Sequence, residues 1–449
     1  MNKRILFPLC AAAVALTAGA QDYRQADQYL EQVAKGNISA QTAAPSTAIK
    51  ADQVETARQH LWQQWVQALK TNGETRLPAD APLSTSATGS LAIPDSLEPN
   101  AVMPFYWGTK GVIAQSERVS VPTFIDLHGS GPKAHEWEAT LSWAQRFADG
   151  PSRYFIPQIP QEGKYYRWWQ RSKQWAWSWL WRRLMADAAI DPDRVYLFGV
   201  SEGGYGSQRL ASFYADYLAA AGPMAGGEPL QNAPAENLGH VGFSLLTGEK
   251  DLMFCRNQYT RTTGLALDSL ERVYPGLYTH RVELIPGKGH GFDYSPTTTW
   301  LMQFRRNARP THFIWEDYEM DGLHRHGFYN LRVDQRPSDS LRTRYDVRIG
   351  DDGVIDIEAR LVEYIPLEKD PRWQFTLRWH KQFKPATGGQ FTLFLDNDLG
   401  GLDRKITVRV NGKVVFKGKP KTDLKYMAES IALYGDPRRV FPAAITVKY

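Results

Sequence analysis

The chain is poor in cysteine, with two in 449 residues, Cys10 and Cys255. Cys10 sits inside an N-terminal apolar run, so the rest of the chain has one thiol and no internal disulfide. Its stability must come from a sizeable buried core. Long apolar runs are also scarce. The longest, residues 5–18 (ILFPLCAAAVALTA), falls short of the ~20 residues that a membrane-spanning helix requires. Charge of one sign is missing as well. Lys and Arg number 53 against 48 Asp and Glu, a formal charge of +5, and no basic run marks a nucleic-acid partner. No segment recurs at a fixed period, which excludes a propeller or a solenoid.

The N-terminus carries an export pattern. Lys3 and Arg4 precede the apolar run, and AGA (18–20) places small residues at the −3 and −1 positions before Gln21. Residues 1–20 therefore read as a secretory signal peptide. The mature chain is expected to be periplasmic or secreted, with no membrane span. Residues 21–100 form a helical extension followed by a linker. VETARQHLWQQWVQAL (54–69) repeats its apolar positions at helical spacing, and 71–100 hold Pro78, Pro82, Pro94 and Pro99 among Ser, Thr and Ala.

From about residue 101 short apolar strands alternate with helical stretches. The strands are VPTFIDLHGSG (121–131), RVYLFGVSEGG (194–204), VGFSLLTGEKD (241–251) and YTHRVELIPGKGHGF (278–292). PTTTWLMQFRRNAR (296–309) closes the series as a helix. Alternation of this kind predicts an α/β fold with a doubly wound, mostly parallel sheet over 101–309. After Pro310 the pattern becomes β-rich to residue 449. Its clearest hairpin signal is Asn411-Gly412 inside ITVRVNGKVVFKGK.

FGVSEGGYG (198–206) puts Ser201 between Gly199 and Gly203, after a strand and before a helix. A serine at so sharp a turn is a candidate nucleophile. It requires a base, a carboxylate to orient that base, and N–H donors for an oxyanion. His290, in the glycine-flanked loop GKGHGF, supplies the base, and Asp251, closing the third strand, supplies the carboxylate. His240, Glu249 and Asp293 are their rivals. The oxyanion donors are the N–H of Glu202 and that of Gly129 or Ser130, in HGSG (128–131). His324 and His326 lack partners at ligand spacing, so no metal and no cofactor is expected.

These motifs resemble the α/β-hydrolase family, in the order Ser, Asp, His, over roughly residues 101–309. G-x-S-x-G-G and DPDRVYLFG are similar to two of its branches. One comprises secreted esterases of the polyhydroxybutyrate-depolymerase and feruloyl-esterase type, the other prolyl-oligopeptidase-type catalytic domains. The resemblance implies hydrolysis of an ester or amide through an acyl-enzyme, without metal or organic cofactor. The peptidases usually carry a large N-terminal propeller, which residues 21–100 are too few to form. A small-molecule or polysaccharide-linked ester is therefore the expected substrate, with short peptides as the alternative.

KQWAWSWLWRRL (173–184) is the richest aromatic stretch. Placed before the nucleophile strand, it reads as a buried helix. Trp168 and Trp169 precede it in a loop expected at the catalytic end of the sheet, where they are candidates for stacking on substrate.

Overall fold

The structure is a computed structural model that describes residues 21–72, 77–114, 116 and 120–449. The expected signal peptide lies outside the described residues. Two helices come first, α1 (Arg24–Ala34) and α2 (Val54–Thr71). An eight-stranded sheet follows: β1 (Gly89–Ala92), β2 (Val102–Lys110), β3 (Thr123–Leu127), β4 (Ser152–Pro157), β5 (Val195–Val200), β6 (Ala220–Met224), β7 (Gly242–Gly248) and β8 (His280–Ile285). Its spatial order is β1-β2-β4-β3-β5-β6-β7-β8. β2 runs antiparallel to β1 and β4, and the pairs β4-β3, β3-β5, β5-β6, β6-β7 and β7-β8 are parallel. This is the α/β-hydrolase sheet.

The strands are apolar on both faces because both are covered. Ile125 and Leu127 of β3 and Val195 and Leu197 of β5 enter one core, while Phe124, Tyr196 and Phe198 enter the other. The second core is closed by α3 (Lys133–Arg146), through Trp137, Leu141 and Ala144, and by Leu301 at the end of α7 (Pro296–Leu301). The first holds α4 (Arg171–Ala186), α5 (Glu202–Phe213) and Leu267 of α6 (Arg256–Val273). Trp177, Trp179 and Trp181 of α4 are all buried, and Trp181 stacks on Tyr217 at 5.4 Å. The helix is aromatic all round because it lies between the sheet and the β-rich region, whose Phe313 and Trp315 share its core.

After residue 310 come β9 (His312–Asp317), β10 (Gly327–Phe328), β11 (Leu331–Gln335), β12 (Arg342–Ile349), β13 (Val354–Lys369), β14 (Thr376–Pro385), β15 (Gln390–Leu395), β16 (Ile406–Val410), β17 (Lys413–Gly418), α8 (Leu424–Tyr434) and β18 (Ala443–Lys448). They form a four-stranded sheet, β10-β11-β15-β18, and a second sheet, β17-β16-β13-β12-β9, to which β14 adds on β13. Trp315 stacks on Phe328 and Tyr345 meets Phe391 edge-on, one partner from each sheet. The β16–β17 turn is the expected one, with Asn411 and Gly412 both at positive φ (47° and 80°).

Besides strands β2, β4 and β6, absent from the sequence reading, two features depart from it. Residues 71–100, read as a linker, contain β1, which pairs antiparallel with β2. The β-rich region contains one helix, α8, which packs its Leu424, Met427 and Ile431 against α1 and α2 in a core of their own. Among the described residues no helix is long and apolar enough to cross a membrane.

Candidate active site

Ser201 sits at the turn from β5 into α5 with φ 58° and ψ −113°, a conformation that non-glycine residues avoid. The turn is held by the Ser201 N–H donating to the Met224 carbonyl (3.0 Å) and by the first helical bond, Tyr205 N–H to the Ser201 carbonyl (3.0 Å). The flanking glycines are needed because backbones touch there. A methyl group on Gly203 would come within 1.8 Å of the Leu127 carbonyl oxygen, and one on Gly199 within 2.5 Å of the same atom.

Asp251 and His290 follow β7 and β8, and the structure brings them together. The imidazole Nδ1 lies 2.6 Å from Asp251 Oδ2. Asp251 is buried and His290 exposed. The loop carrying His290 is fastened by the Tyr294 hydroxyl, which donates to the His290 carbonyl at 2.6 Å. The rival carboxylates are occupied elsewhere: Glu249 accepts from the Gly287 N–H, and Asp293 from the Ser295 N–H. His240 lies 2.7 Å from the His312 carbonyl through Nε2.

Sequence reasoning missed a second partner of Asp251. The Arg256 guanidinium, also buried, donates through Nη1 to Asp251 Oδ1 (3.0 Å) and through Nε to the Tyr205 hydroxyl (2.7 Å). Burial alone would raise the Asp251 pKa, but the His290 bond and the Arg256 charge outweigh it and hold it below the usual carboxylate range. Asp251 is thus an ionised acceptor, fixed on both oxygens.

Ser201 and His290 line one cavity of about 310 Å³ together with Gly129, Ser130, Trp143, Phe147 and Tyr294. Glu202 is the first residue of α5, where the backbone N–H has no helical acceptor. Gly129 is close by: a methyl on it would lie 3.5 Å from the Ser201 Cβ. The 128–131 loop is shaped from behind by His128. Its Nδ1 lies 2.7 Å from the Gly129 carbonyl, and its Nε2 accepts the Ile159 N–H at 2.9 Å. Burial pushes the His128 pKa down to about 4, so it stays neutral.

The structure corrects the reading of Trp168. Its side chain is fully buried and faces inward, with the indole N–H donating to the His128 carbonyl at 3.1 Å and the ring edge-on to His128. It braces the 128–131 loop and has no face free for a ligand. Trp168→Ala should therefore act as a core truncation, costing about 3–5 kcal/mol in urea unfolding. Trp169 does line a cavity, with the Arg209 guanidinium 3.8 Å above its ring.

The Glu202 side chain enters the same cavity as Trp169 and lies 3.2 Å from Arg167 Nη1. Burial raises its pKa to about 7, against the opposing pull of Arg167. The folded state thus binds this proton more tightly than the unfolded chain. The resulting stabilisation is complete below the unfolded value near 4.5 and is lost as pH rises through 7. Glu202→Gln should remove that dependence, so its urea midpoint relative to the native protein should rise between pH 5 and pH 8.

No family model matches the chain, and no curated protein does so either. Solved structures do align with it. A thermostable esterase aligns at 18% identity over 46% of this chain and 60% of that one, with a TM-score of 0.36. A carboxylesterase from Mesorhizobium loti aligns at 18% over 50% and 98%, with a TM-score of 0.33. A ferulic acid esterase from the anaerobic fungus Anaeromyces mucronatus aligns at 12% over 51% and 92%, with a TM-score of 0.35. By its own strand order the chain has the α/β-hydrolase fold, with Ser201, Asp251 and His290 following β5, β7 and β8.

Proposed function

We propose that the protein is an exported serine hydrolase that cleaves carboxylic esters through an acyl-enzyme. One observation carries the reading: His290, hydrogen-bonded to Asp251 at 2.6 Å, shares a cavity with a serine held at positive φ. Ser201 Oγ attacks the acyl carbon while His290 takes its proton, and Asp251 fixes the tautomer and steadies the imidazolium. The carbonyl oxygen becomes an oxyanion facing the N–H of Glu202 and that of Gly129 or Ser130. His290 returns the proton to the departing alcohol as the carbon–oxygen bond breaks. Water, deprotonated by His290, then releases the acid and restores Ser201.

The cavity beside Ser201 has Asp126 and Glu136 in its lining, but its wall of Trp143, Phe147, Phe198, Met224 and Tyr294 suits an apolar or aromatic acyl group. Export is supported by the pattern of residues 1–20. Purified mature protein should hydrolyse acetyl or feruloyl esters faster than aminoacyl or prolyl amides. Faster release from the amides would replace the reading with a peptidase.

A further inference from the structure

A second cavity, of about 570 Å³, adjoins the catalytic turn on the side of Glu202. It lies where the two halves of the chain meet. Trp169, Tyr205, Phe254 and Tyr259 come from the hydrolase, and Phe375 and Trp379 from the β-rich region. The β13–β14 hairpin that carries the last two is docked on α6. The Tyr259 hydroxyl donates to the Thr376 carbonyl at 3.0 Å, and Phe254 packs on Trp373 at 4.9 Å.

The charges in this cavity cancel in pairs. Arg167 faces Glu202 at 3.2 Å, and Arg209 faces Glu228 at 2.8 Å. Above pH 7, where Glu202 is ionised, the pairs leave the lining without net charge, so an ionic ligand gains little and the aromatic faces are the main attraction. Neutral amides add to its lining, from Gln231, Asn232 and Gln374. Two further polar atoms of the lining residues, Glu202 Oε1 and Trp379 Nε1, have no hydrogen-bond partner within the protein. One is an acceptor and the other a donor. Aromatic faces, paired charges and unspent donors and acceptors together describe a site for a neutral polyhydroxylated ring. Such a ring is apolar on its C–H faces and both donates and accepts at its rim.

We propose that this cavity binds a neutral sugar, the alcohol part of the ester, seated against Trp379, Phe375 and Trp169, while the acyl group occupies the apolar cavity at Ser201. The β-rich region thereby supplies half of the leaving-group site. The proposal rests on the ester-hydrolase reading above, and its test separates the two.

Two classes of acetate ester isolate the alcohol. One is ethyl acetate, whose alcohol is too small to fill the cavity; the other is partially acetylated xylan and glucomannan oligosaccharides. The wild-type full-length protein should show a higher kcat/KM on at least one carbohydrate ester than on ethyl acetate. Trp379→Ala should lower that carbohydrate-to-ethyl ratio about tenfold. Phe375→Ala, at an exposed position where truncation threatens folding less, should lower it in the same direction. Hydrolysis of ethyl acetate with no preference for any carbohydrate ester overturns the sugar site and leaves the ester hydrolase standing, as does a ratio unchanged in both variants. If no ester is cleaved and a fluorophosphonate leaves Ser201 unlabelled, the ester-hydrolase reading fails and the sugar site with it.

Discussion

Ser201→Ala should abolish labelling by a fluorophosphonate probe and cut kcat/KM on any ester substrate by on the order of 10⁴–10⁶-fold. The loss is large because the serine, the histidine and the carboxylate act as a unit, leaving only binding and the oxyanion donors without the nucleophile. The fold should survive. Ser201 makes its structural bonds through its backbone, to Met224 and Tyr205, and alanine keeps both. The positive φ of 58° is set by the strand-to-helix turn and is no harder for alanine than for serine. The variant's urea midpoint should therefore match the native one within about 1 kcal/mol of stability. Retained labelling in Ser201→Ala, or turnover within tenfold of the native rate, would move the nucleophile elsewhere.

The strained strand-to-helix turn at Ser201 was legible in the sequence because its determinants are local. Strand, glycine, serine, glycine and helix fall within a dozen residues, and each glycine marks a place where two backbones touch. His290 and Asp251 were legible from chain order, each following an apolar strand. Arg256 was not, since an arginine five residues beyond an aspartate is unremarkable until α6 turns it back on Asp251. β6 was hidden for a different reason. AAGPM (220–224) lacks the branched residues of a strand, and at Gly222 a side chain would meet Thr297 and Leu301 of α7. Trp168 was placed in the correct loop with the wrong orientation. Nothing in YYRWWQ tells which of two adjacent indoles turns inward, and the hydrogen bond that decides it is to His128, forty residues away. How the β-rich region docks on α6 is likewise set by contacts far apart in sequence, such as Tyr259 to Thr376.

The same non-local logic produces a large expected loss of stability at Arg439. This residue is fully buried, sandwiched between the rings of Tyr217 and Tyr434 at 4.3 Å each. Its guanidinium pairs with Asp216, just after α5, and donates to Asp436 at 2.7 Å. Arg325 also pairs with Asp216, and Arg306 with Asp436 and Asp193, so three guanidiniums and three carboxylates form one cluster between the α/β sheet and the β-rich region. Truncating one member of such a cluster costs more than the pair contributes, because the remaining charges stay buried with less compensation. Arg439→Leu should destabilise the chain by about 3–5 kcal/mol in urea unfolding. Arg439→Lys should recover only part of this, since an ammonium keeps the charge but loses the forked hydrogen bonds and the stacking. Burial by itself would raise the pKa values of Asp216 and Asp436, but the arginines hold both carboxyls below their usual range. The stability they confer is present above pH ~4 and is lost as pH falls through their folded pKa values. With Arg439 gone that depression shrinks, so the native-minus-variant difference in stability should hold from pH 7 to about 4 and narrow as the pH is lowered from there toward 2. A difference that stays constant across that range would assign the role of Arg439 to packing between its two tyrosines and not to charge.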